Sequence, residues 1–189
     1  METIEFKRKG LYIIFGILVL AAVLFFSFHL FSISGYSVDY MNATYLRFTQ
    51  LSKATTNLCS TPSAIYSENV PYLQGSCCDP MVYGSYAEQI EGLKNYPYLS
   101  VIPRDPYNVS FSLAKELLDY DSNITLNPEE QAIYNKAMSL SENRGPCCCT
   151  CWRWYAFEGL GKYLITHENF SAAQVAHVWD LVDGCGGSD

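Results

Sequence analysis

The sequence predicts an all-α fold: one N-terminal transmembrane helix followed by a small helical, cysteine-rich domain. Three observations carry this expectation. Leu11 to Phe31 holds no formal charge and, at ~1.5 Å per residue, is long enough to cross the roughly 30 Å hydrocarbon core of a bilayer. Beyond it, apolar residues recur at helical spacing in one segment after another. No stretch alternates convincingly with the period of two that a half-buried strand shows.

Taken in order, residues 1–10 form a short cytoplasmic terminus, because Lys7, Arg8 and Lys9 stand directly before the apolar segment and basic residues stay inside. Residues 11–31 are the membrane span. A cleaved signal peptide is the rival, with Ser32 and Ser34 before the cut, but its apolar region is usually only about 7–15 residues. Residues 32–59 form a linker and a stalk helix, with Met41, Tyr45, Phe48 and Ser52 at helical spacing and Asp39 as N-cap. Residues 60–189 then make the helical cysteine-rich domain, outside the cell membrane.

Within that domain, Ser60 to Tyr83 is broken by prolines, glycines and the Cys77-Cys78 pair and is expected to be irregular. A helix over 85–95 presents Tyr86, Ile90 and Leu93 until Pro97 stops it. Pro103 and Pro106 keep the next segment extended, and 111–120 forms a helix through Leu113 and Leu117. Asn127-Pro128-Glu129-Glu130 is a helix start, with a capping residue, proline at the first position and acids facing the dipole. The cysteine run then opens a helix carrying Trp152, Tyr155 and Leu160. Ser171 and Gln174 form a capping box before Val175, Val178 and Trp179.

The chain carries 12 Lys and Arg against 19 Asp and Glu, a net charge of −7. Such an acidic surface argues against nucleic-acid binding, which needs a basic face. Four sequons, at Asn42, Asn108, Asn123 and Asn169, read as glycosylation acceptors on the outer side. The expected contacts are therefore a lipid bilayer through residues 11–31 and protein partners in a membrane complex or at the cell surface.

The eight cysteines carry the chemistry: Cys59, Cys77, Cys78, Cys147, Cys148, Cys149, Cys151 and Cys185. Disulfides are one reading, since an even count closes a framework. Adjacent cysteines rarely bridge each other, because their Cα atoms lie ~3.8 Å apart and a disulfide needs about 4.4–6.8 Å. The four of the run would therefore pair with Cys59, Cys77, Cys78 and Cys185. Metal coordination is a second reading. Cys148 and Cys151 sit three apart and would share a helix face, Cys147 or Cys149 can reach round, and Cys77, Cys78 and the glycine-flanked Cys185 supply further thiolates. Soft sulfur ligation suits copper, zinc or an iron–sulfur centre, with His167 and His177 as additional ligands and Trp152, Trp154 and Trp179 as shielding. Thiol redox is a third, through the Cys148-Cys149-Thr150-Cys151 motif at a helix N-terminus, although no βαβ pattern surrounds it.

Between Cys77 and Gly187 the chain resembles a group of membrane-anchored archaeal proteins. More distantly it resembles bacterial lipoproteins with a Pro-Cys-Tyr-Cys-Gly-Cys motif. Here Pro146-Cys147-Cys148-Cys149-Thr150-Cys151 occupies that place; Cys147, Cys149 and Cys151 match it, while Cys148 and Thr150 depart from it. Neither group supplies an activity, so the resemblance implies only an anchored cysteine-cluster domain. The sequence has no haem motif, phosphate-binding glycine loop or nucleophile elbow, and no enzymatic turnover is expected. The reading is a domain that binds a metal through its cysteines, for metal handling or electron transfer. Its alternative is a disulfide-stapled structural or accessory module.

Overall fold

The computed structural model describes residues 20, 43–57, 59–67 and 70–187. The chain divides into two units, Met1–Tyr45 and Leu46–Asp189, and the architecture below is that of the second. Its elements run α1 (43–51, of which 46–51 belong to this unit), α2 (Pro62–Ser67), β1 (Tyr72–Gln74), α3 (Tyr83–Leu93), β2 (Asn108–Ser110), α4 (Phe111–Asn123), α5 (Pro128–Leu140), α6 (Trp152–Glu168) and α7 (Ala172–Val182).

Two expectations are corrected here. The fold is mostly helical but not all-α, because β1 and β2 pair antiparallel with Leu73 opposite Val109. Each strand is only three residues long, too short for an alternating pattern to stand out against its neighbours. The second correction concerns the membrane. Among the described residues no helix is long and apolar enough to cross a bilayer. Even α7, rich in valine, has only 11 residues. A single-pass anchor, with the N-terminus inside and the domain outside a cell membrane, is therefore unsupported. The segment 11–31 lies outside the described residues except for Leu20, which is helical and exposed, and Asn42 also lies outside them.

The helix starts follow local chemistry. Asn127 Oδ1 accepts from the backbone N–H groups of Glu129 and Glu130, both at 2.9 Å, and Glu130 returns a carboxylate oxygen to the Asn127 N–H at 2.8 Å. Ser110 Oγ accepts from the Leu113 N–H at the start of α4, and the Gln174 side chain accepts from the Ser171 N–H before α7. These interactions satisfy donors that the first helical turn otherwise leaves bare.

The main core gathers α4 to α7. Leu117, Ala156, Phe157, Leu160, Val178 and Val182 are fully buried within it. Helices α4 and α6 approach closely at Gly159, where a Cβ would stand 2.0 Å from the Leu117 carbonyl oxygen. Lys162 Nζ clamps the same crossing, 2.6 Å from Asp121 Oδ1. A second, aromatic cluster of Leu51, Met81, Tyr86 and Tyr107 surrounds Asp105. The Asp105 carboxylate accepts from Tyr86 Oη at 3.1 Å and from the Tyr107 N–H at 3.0 Å. The cysteines form a third cluster beside these two.

Candidate metal centre

Four separate stretches deliver the eight thiols, and hydrogen bonds fix each one. Cys59 sits between Asn57 and Ser60. Asn57 is buried; its N–H donates to the Gln74 carbonyl at 2.8 Å, its Nδ2 donates to the Gly75 carbonyl at 3.0 Å, and its Oδ1 accepts from Trp152 Nε1 at 3.2 Å. The Trp152 N–H donates to the Ser60 carbonyl at 2.7 Å. The loop bearing Cys59 is thus tied both to the end of β1 and to the start of α6, next to Cys151.

Cys77 and Cys78 follow β1 and run alongside the segment after α7. Their N–H groups donate to the carbonyls of Gly184 (3.0 Å) and Cys185 (3.1 Å), the Asp79 N–H donates to Cys185 O at 2.8 Å, and the Gly187 N–H reaches Pro80 O at 3.3 Å. This backbone zipper places Cys185 against the Cys77-Cys78 pair. It depends on Gly186, which has φ +102° and would bring a Cβ to 2.1 Å from the Asp79 carbonyl oxygen.

The run Cys147 to Cys151 follows α5 through a closed turn. Ser141 Oγ donates to the Gly145 carbonyl at 3.0 Å, and the Gly145 N–H returns to Ser141 Oγ at 2.8 Å. Cys151 is the N-cap of α6, with extended backbone. The run therefore lies outside the helix, and the helix-face pairing expected for Cys148 and Cys151 does not form. The two thiols instead fall into different groups.

All eight cysteines are free thiols and gather in one place. Cys59, Cys77, Cys149 and Cys151 form one quartet; Cys78, Cys148, Cys149 and Cys185 form another; Cys147, Asp183 and Cys185 form a third group. The ligand atoms within each group lie within 4.8 Å of one another. The Sγ–Sγ separations are 3.6 Å for Cys77–Cys151, 3.9 Å for Cys77–Cys149, 3.4 Å for Cys78–Cys149 and 3.6 Å for Cys78–Cys148. Four thiolates at about 2.3 Å from one tetrahedral ion stand about 3.8 Å apart, so the arrangement fits a single ion at the centre of a quartet. A disulfide, at about 2.0 Å, would draw the sulfurs into pairs. Here Cys77, Cys78 and Cys149 each have more than one near neighbour.

Burial is graded across the site. Cys147, Cys151 and Cys185 are buried and form its floor; Cys59, Cys78 and Cys148 are exposed. Trp154 packs against the cluster, whereas Trp152 and Trp179 belong to the main core, with Trp179 Nε1 donating to the Phe157 carbonyl at 2.7 Å. Hydrogen bonds from Cys147 and then Cys77 hold the Cys151 thiol well below its ordinary range, despite burial. Donation to Cys151 and then Cys185, with burial, pushes Cys147 up. Cys78 is pushed up by burial and by its contacts with Cys149 and Cys148.

The outer wall opens on a cavity of about 410 Å³ lined by Cys148, Cys185, His177 and the carboxylates of Asp79, Glu88, Glu142, Asp180 and Asp183. Asp183 is already engaged: its Oδ1 accepts from the Cys185 N–H at 3.0 Å and its Oδ2 from Asn143 Nδ2 at 2.7 Å.

Among the described residues, neither His167 nor His177 joins a thiol group. His167 is exposed at the end of α6, stacked on Tyr163 with ring centroids 4.5 Å apart. His177 lies in the cavity wall. Among the sequons, Asn108 lies in β2 and accepts from Gln74 Nε2, Asn123 ends α4 with Nδ2 donating to the Asp119 carbonyl, and Asn169 caps α6 at φ 56°. Asp183 was missed in the sequence; its signal is its place two residues before Cys185. Comparison with protein-family models, with curated proteins and with solved structures gives no match.

Proposed function

We propose that the domain is a metal-handling module that binds a soft, tetrahedrally coordinated ion, zinc by preference and copper(I) next, through its cysteine thiolates. One observation carries the reading: two four-thiol groups whose sulfurs all lie within 4.8 Å of one another, with the Cys77–Cys149, Cys77–Cys151, Cys78–Cys149 and Cys78–Cys148 pairs at 3.4–3.9 Å, match the spacing of a tetrahedral S₄ shell around one ion. An iron–sulfur cluster fits less well, because its irons and sulfides stand between the cysteines and spread them further apart. Thiol redox through Cys148 and Cys151 is disfavoured by their assignment to different quartets. Exposure of Cys78 and Cys148, with Cys148 in the wall of a carboxylate-lined cavity, supports exchange of the ion with its surroundings over permanent enclosure. The function is binding, with no turnover.

Elemental analysis of natively purified protein, paired with a thiol count after denaturation, tests the reading. Near-stoichiometric zinc or copper with at least four free thiols is expected. Absence of metal together with absence of free thiols would sink it and favour a disulfide-stapled module.

A further inference from the structure

We infer that the cluster holds two metal ions joined by the thiolate of Cys149; this rests on the metal-binding reading above. Four thiolates complete one tetrahedral ion, and the chain assembles eight thiols at one place. They do not divide into one used and one spare set. Cys59, Cys77 and Cys151 form a quartet with Cys149, and Cys78, Cys148 and Cys185 form a quartet with the same Cys149. Its Sγ is 3.9 Å from Cys77 on one side and 3.4 Å from Cys78 on the other. The adjacent Cys77 and Cys78 therefore serve different quartets, and the sulfur between them is common to both.

A thiolate sulfur has lone pairs enough to bind two metals. Two ions each about 2.3 Å from one sulfur lie no more than about 4.6 Å apart, within direct electronic contact through it. Cys147 packs in the buried cluster with Cys151 from one quartet and Cys185 from the other and forms a further group with Asp183 and Cys185, so the eighth thiol adjoins both quartets. The two positions are unequal. The Cys59 quartet has one exposed thiol, whereas the other has two, Cys78 and Cys148, and contributes Cys148 and Cys185 to the acidic cavity wall. The ion on the cavity side loads and leaves first, and its partner is retained.

Cobalt(II) titration of the full chain, reduced and stripped of metal under anaerobic conditions, tests the inference. Sulfur-to-cobalt charge-transfer absorption is expected to saturate at two equivalents. The paramagnetic resonance of the first cobalt should grow and then collapse as the second couples to it through the shared sulfur. Replacing Cys78 and Cys148 together with serine should leave one equivalent, and Cys149→Ser should abolish the coupling. Saturation of the wild-type chain at one equivalent overturns the inference and leaves the metal-binding function standing. Two uncoupled cobalt ions overturn the shared thiolate. No cobalt–sulfur absorption at all overturns both readings.

Discussion

At the scale of single residues, the site is held by side chains that bind no metal. Asn57 satisfies three backbone or side-chain partners at once, on β1 and on α6. Asn57→Ala strands the Trp152 indole N–H in a buried setting, at about 1–3 kcal/mol, and leaves the Gly75 carbonyl with only the Arg153 Nη2 contact at 3.5 Å. A loss of about 2–4 kcal/mol in urea unfolding is expected, with weaker metal retention because Cys59 loses its tether. The histidines give the opposite expectation. Since no thiol group includes one, His167→Ala and His177→Ala should leave the metal-to-protein ratio by elemental analysis unchanged. The importance of the cysteines was legible from their number and crowding alone. The grouping was not, because it depends on Cys151 capping α6 instead of lying inside it, a difference of one turn that residue spacing cannot resolve.

At the scale of elements, two glycines separate the stability of the fold from the integrity of the site. Gly159 lets α4 and α6 meet backbone to backbone, and Gly186 lets the segment after α7 zip onto Cys77-Cys78. Gly159→Ala forces a helix apart and should lower the thermal midpoint while leaving the metal ratio intact. Gly186→Ala places a side chain at φ +102° against Asp79, a strain of about 1–3 kcal/mol. It should loosen metal binding, seen as faster transfer to a competing chelator, with a smaller change in the midpoint. Helices α5 and α7 were legible because their starts carry capping chemistry, and α4 and α6 because their faces carry periodicity. Helix α2 was hidden in a proline- and glycine-broken stretch, and the predicted stalk helix ends at residue 51 rather than near Cys59, its first residues lying outside the described ones. The strands were illegible for a physical reason: their partner residues come from stretches separated by α3, and pairing across that distance leaves no local trace.

At the scale of the whole molecule, metal loading is linked to pH. Cys77, through its hydrogen bond to Cys151, and Cys78, through burial, are held above their ordinary thiol range, so at neutral pH they carry protons that an arriving ion must displace. Binding therefore releases protons, and affinity should rise with pH and fall as the solution is acidified, measurable by competition with a chromophoric chelator across pH 6 to 8. The zipper between Cys77–Pro80 and Gly184–Gly187 has a consequence in time. It joins stretches from opposite ends of the domain, with α3 to α7 lying between them, and contacts of such long sequence separation form late. On the proposed metal-binding reading, ions seated across that seam would act as a latch, since the helices could not separate until the sulfurs let go. In a denaturant jump the loaded protein should unfold at the rate of ion escape, and added chelator should quicken it, so the lifetime of the native state is set by the metal rather than by the hydrophobic core.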